Sequence, residues 1–169
     1  MGISFSGRYM PEKGPHGKIA ITGSWAPTAR ATIGFDWRPL SEDFTGIGSY
    51  LIFNETEMRP AIVFGTSADE FGGTLSQAYH MIASKKILDW RSVTVSPYVG
   101  PIYIQELGDW NVVGGVSIRR DKFCLTGMWG GKDLHIVARY DFTDHFTLGV
   151  VWWGVDNVDT FGLSTTVKF

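Results

Sequence analysis

Cysteine is almost absent: the single Cys124 allows no internal disulfide, and no Cys/His spacing points to a metal site. Long apolar runs are missing too. No segment approaches the roughly 18 consecutive apolar residues of a membrane-spanning helix, so a chain like this could cross a bilayer only as a barrel. The start, Met1-Gly2-Ile3-Ser4-Phe5, has none of the basic, apolar and small-residue parts of a secretory leader. It reads as a mature form behind an initiator Met, although a cytosolic protein would begin the same way. Charged residues are scarce at 19%, and the net charge of −2 selects neither an acidic nor a basic partner. Nothing in this balance calls for nucleic acid.

What the chain has instead is glycine (21 residues), aromatic side chains (14%) and two-residue alternation. Its 169 residues fit one domain, 1–169. About twelve strand-like segments are separated by Gly, Pro, Asn and Asp clusters, with no amphipathic helix between them. Ala31, Ile33, Phe35 and Trp37 alternate with Thr32, Gly34, Asp36 and Arg38; Leu134, Ile136, Ala138 and Tyr140 alternate with His135, Val137, Arg139 and Asp141. Phe161, Leu163, Val167 and Phe169 share one face of the closing segment, with Gly162, Ser164, Thr166 and Lys168 on the other. Pro97 and Pro101, which lack a ladder donor, weaken a strand over Ser92 to Ile104. A mean hydropathy of zero is what alternation produces in a soluble barrel and in a membrane barrel alike.

Two features favour the membrane. All seven Trp lie at or near a predicted strand end, where an interfacial girdle needs an amphipathic ring. The connections after Tyr9, Arg38 and Thr66 also look longer than the alternate ones, Pro27-Thr28-Ala29 and Arg120-Asp121. The expected fold is therefore all-β: a transmembrane antiparallel up-and-down β-barrel of about twelve strands. The rival is a soluble or periplasmic barrel binding a small apolar ligand inside, and the two readings turn Ile33, Phe35, Leu148 and Val150 to opposite sides of the wall.

The charges carry the functional signal. Most acids fall in connections, leaving Asp36 and Asp141 near strand ends, while Arg8, Lys18, Arg30, Arg38, Arg119, Lys122, Arg139 and Lys168 read as the polar face of strands. In a barrel with lipid outside, that face lines the lumen, and a basic lumen favours anionic solutes such as acidic saccharides. The plainer alternative is that these cations fill a wet interior and pair with Asp36 and Asp141. Catalysis finds no support: no spacing ties His80 or His135 to Ser84, Ser96 or Ser117 and an acid, and no helix follows any glycine cluster to form a phosphate loop. The expectation is a non-enzymatic pore with no cofactor and no metal.

The closing strand, ending on Phe169, resembles that of bacterial outer-membrane β-barrels. In that family the terminal aromatic is read by the barrel-assembly machinery, which makes Phe169 a barrel-insertion signal; the alternative is an ordinary sheet edge that ends in Phe. A second likeness covers about residues 30–86. Arg30 to Leu40, then Arg59 to Gly73 with Pro60, Gly65, Asp69, Gly72 and Gly73, then Tyr79, Ser84 and Lys85, resemble the YjbH-type outer-membrane proteins associated with exopolysaccharide production, although Ala78 stands where that family often has an acid. This resemblance implies the bacterial outer membrane, a lipid bilayer as partner and a role linked to polysaccharide export.

Overall fold

The computed structural model describes residues 2–11, 18–71, 74–105, 107–130, 134–155 and 158–169. Alternating segments become strands: β1 (Gly2–Tyr9), β2 (Ile19–Ala26), β3 (Ala31–Arg38), β4 (Asp43–Phe53), β5 (Ala61–Phe71), β6 (Thr74–Ser84), β7 (Leu88–Trp90), β8 (Val93–Ile104), β9 (Asp109–Arg120), β10 (Phe123–Trp129), β11 (Leu134–Asp141), β12 (Phe146–Val155) and β13 (Val158–Lys168). Consecutive strands pair antiparallel, β6 and β7 excepted, and β1 pairs with β13. Short β7 continues β6 past a one-residue offset, because both pair with β8 and the bonds Lys85 N–H to Pro97 O (3.2 Å) and Ile87 N–H to Val95 O (2.9 Å) bridge them. The wall is thus a closed meander of twelve strands with no free edge.

At the closing seam Ile3 and Phe169 exchange backbone hydrogen bonds at 3.2 and 2.8 Å, which defines a terminal mouth; β1 runs from it to a far mouth. The closing strand keeps the expected faces, with Phe161 and Leu163 outside at 61% and 63% exposure. Lys168 stands opposite Ser4, and Arg8 opposite Ser164, so these two cations lie apart along the seam.

The apolar face points outward. Ile33, Leu148 and Val150 are 52%, 42% and 48% exposed, whereas Asp36, Arg38, Thr147 and Thr160 on the opposite face are buried. This overturns the soluble barrel with an apolar interior site, since the residues that would line that site are on the outside.

Several boundaries differ from the sequence reading. Strand β5 runs on through Ser67, Ala68 and Asp69 to Phe71, because its ladder with β6 extends to Phe71 opposite Thr74; a strand at a mouth is wet on both faces and tolerates polar residues. Gly72 and Gly73 of the expected loop lie outside the described residues, as do Glu12 to Gly17 and Gly131 to Asp133 of two other expected connections. The contrast of long and short connections is not present: the link from β3 to β4 is short (39–42), and the alternate link from β4 to β5 is longer (54–60). Strand β8 runs unbroken through Pro97 and Pro101 because the missing donors face β6, and that ladder skips the positions of Met81 and Ile82 opposite Pro101 and Gly100. Six of the seven Trp follow the outward apolar face, but Trp153 turns inward and is 4% exposed. Ala78 is also buried inside, against Ile102 and Ile104, where an acid would have no partner.

Candidate functional site: an arginine and hydroxyl ramp in the lumen

Inside the wall is a cavity of about 350 Å³ shared by nine strands, with Arg8, Arg38, Arg139 and Asp36 among the side chains that line it. Its chemistry follows from register. Arg119 opposes Cys124, Cys124 opposes Arg139, Arg139 opposes Gly149, Gly149 opposes Ser164, and Ser164 opposes Arg8. Small residues separate the cations. A Cβ on Gly149 would lie 2.6 Å from Ser164 Oγ and 3.0 Å from Arg139 Cγ, so the Arg139 stem lies across the space that glycine leaves open.

A second row runs beside it on the same inner face. Thr45 opposes Asp36, Asp36 opposes Thr22, Thr22 opposes Ser6, Ser6 opposes Thr166, Thr166 opposes Thr147, and Thr147 opposes Asp141. Both rows climb. Arg119 is next to last in β9, which ends at the terminal mouth, whereas Arg38 ends β3 at the far mouth. Strand tilt turns a line of register partners into a ramp that winds along the lumen from one mouth to the other.

The two carboxylates of the hydroxyl row hold two of the arginines. Asp36 accepts from Thr22 Oγ1 at 2.7 Å and from Arg38 Nε at 3.3 Å. Asp141 accepts from Thr147 Oγ1 at 2.6 Å and from Arg119 Nη1 at 3.2 Å. The plainer expectation, pairing with Asp36 and Asp141, therefore holds for Arg38 and Arg119. Arg139 differs: its Nη2 reaches the Cys124 thiol at 3.8 Å, and among the described residues no carboxylate pairs with it.

The remaining candidates are scattered. Lys18 is half-buried just before β2 and Lys168 is exposed at the terminal mouth. Arg30 and Lys122, expected on the polar face of β3 and β10, lie in exposed turns instead, because β3 begins only at Ala31 and β10 only at Phe123; Lys122 Nζ donates to Phe142 O at 3.3 Å. Phe169 is exposed on the outer face of the closing seam. His135 packs tilted against Trp153 with ring centroids 4.3 Å apart, while Ser117 faces Cys124 and Thr126. At the terminal mouth, outside the strands, the Lys86 ammonium donates to Asp89 at 2.7 Å; that bond, and then the Asp89 charge, raises its pKa.

Sequence reasoning missed the hydroxyl row. Its members, Thr22, Ser6, Thr166 and Thr147, looked like ordinary polar alternation, and only long-range register joins them.

The sequence matches no protein-family model and no curated protein. The fold does have counterparts among solved structures. A structure of the NanC porin aligns over 99% of this chain and 98% of its own, with a TM-score of 0.59 at 10% identity. An outer membrane channel from Pseudomonas putida F1 aligns over 99% and 94%, with a TM-score of 0.47 at 10% identity. At such identity the first likeness speaks for the fold alone: an all-β, closed antiparallel barrel shared with a porin.

Proposed function

We propose that this chain is a bacterial outer-membrane barrel that acts as a non-enzymatic channel for anionic, hydroxyl-rich solutes such as acidic saccharides. The observation that carries the proposal is the pair of adjoining rows, guanidinium groups beside hydroxyls, which climb the lumen together. A sugar acid needs a cation for its carboxylate and exchangeable hydroxyl partners for its ring, and a ramp supplies both at each step. Arg139, with no carboxylate of its own, is the group most available to a passing anion.

The membrane setting is supported by the outward apolar face and by outward aromatic residues near both mouths, Trp25 and Trp90 at one, Trp37, Trp110 and Trp129 at the other. The likeness of the fold to the NanC porin agrees with it. In this setting the bilayer is the first partner and Phe169, on the seam, is the signal offered to the barrel-assembly machinery. The likeness of residues 30–86 to YjbH-type proteins supports a link to exopolysaccharide production.

Planar-bilayer recordings of the refolded barrel test the proposal. Anion-selective currents are expected, and replacing Arg8, Arg119 and Arg139 together with Ser should weaken the selectivity. Cation-selective currents, or a selectivity unchanged in the triple variant, would overturn the proposed lumen.

A further inference from the structure

The outer rim of the terminal mouth combines cations with aromatic rings in a way the lumen does not use. Arg59, in the turn after β4, places its Cζ 4.7 Å above the Phe53 ring, and Arg91, after β7, places its Cζ 4.6 Å above Trp90. Phe53 and Trp90 are 47% and 60% exposed on the outer face. Arg120 is exposed opposite Phe123 on the same face. Beyond it, Tyr140 and Phe142 meet edge to face at 4.9 Å, and Phe142 and Phe146 lie 6.0 Å apart. Among the described residues no carboxylate pairs with Arg59, Arg91 or Arg120.

We propose that this rim is a collar that docks anionic phospholipid headgroups, an inference that rests on the membrane-embedded barrel proposed above. An aromatic ring at the boundary between hydrocarbon and water supports the apolar stem of an arginine, and the guanidinium is then held at the depth of the lipid phosphates. Charge complementarity selects the occupant. The far mouth has outer aromatics as well, including Phe44 and Trp110 at 67% exposure each, but the exposed charges described around it are the acids Glu42, Asp109 and Asp159, whereas at the terminal mouth the exposed acids Glu55, Glu57, Asp89, Asp121 and Asp144 are outnumbered by exposed Arg and Lys side chains. An anionic leaflet is therefore favoured against the terminal mouth and disfavoured against the other. Each basic group near an anionic surface favours it by about fivefold when fully engaged.

The test uses the full chain refolded into vesicles of equimolar phosphatidylcholine and phosphatidylglycerol, with spin-labelled forms of each lipid reporting which one the barrel retains at its surface. Wild type should retain phosphatidylglycerol over phosphatidylcholine by ~threefold or more at low salt, and high salt should shrink the preference. The variant R59Q/R91Q/R120Q should fall to near parity, while R59K/R91K/R120K should keep most of the preference. Equal retention by wild type, or a preference unchanged in the glutamine variant, would overturn the collar. A chain that gives no heat-modifiable folded band in either lipid would instead overturn the membrane reading beneath it.

Discussion

Two parts of the lumen obey the same alternation and reach opposite chemistry. Along the ramp the inward residues are Arg8, Arg119 and Arg139, with Ser6, Thr22, Thr147 and Thr166 beside them. Away from the ramp, toward the far mouth, two groups of inward residues are apolar: Met10, Val151 and Trp153 pack with Val137, and across the barrel Ala78, Ile102 and Ile104 pack with Val113. A period of two assigns a residue to the inside of a barrel without saying whether that inside is a path or a core. In the channel proposed above, the same inner face forms the path where its side chains are hydrated and holds the wall where they pack.

The comparison predicts two separable sets of effects, and the largest belongs to the packed part. Trp153→Ala removes a ring that is 4% exposed, and should cost about 3–5 kcal/mol of stability while leaving the ion preference of the channel as it was. Urea unfolding in detergent beside a reversal-potential measurement reads both, and a changed preference would merge the two parts into one. Next in size is Gly100→Val, because a Cβ there would fall 1.8 Å from Met81 O. Forcing β6 from β8 should cost about 3 kcal/mol, seen as a lower midpoint for loss of the heat-modifiable band.

On the ramp the stability effects are smaller. Thr22→Val takes one donor from Asp36 and should cost about 1 kcal/mol, with weaker block of the current by an acidic sugar. Smallest of all in stability is Arg139→Gln, expected within about 0.5 kcal/mol of wild type because no carboxylate is left behind, yet with a clear drop in anion preference. If Arg139→Gln unfolded the barrel while leaving selectivity intact, Arg139 would belong to the packed part.

Much of this arrangement was legible in the sequence. Inner and outer faces follow from alternation, and the closing strand reads correctly to its last residue, because each such assignment depends only on near neighbours. Register is different: the link from Arg119 through Arg139 to Arg8 crosses six strands, and local sequence does not say which residue opposes which. The same blindness put Arg30 and Lys122 on the wall, since a strand that starts one residue later changes a lumen cation into a turn cation. Trp153 was grouped with the girdle by its place near a strand end, although parity with Thr147 and Val151 turns it inward. Strand β7 escaped notice because three residues show no period.

The break in the ladder between β6 and β8, where Met81 and Ile82 face Pro101 and Gly100, acquires a meaning in time. A closed ring has no outermost strand to fray, so solvent enters first where a ladder is interrupted. Backbone amides around this joint should be the earliest to exchange with deuterium, well ahead of those along the seam between β1 and β13, and the barrel should begin to unzip where its prolines already hold the two strands half unbuttoned.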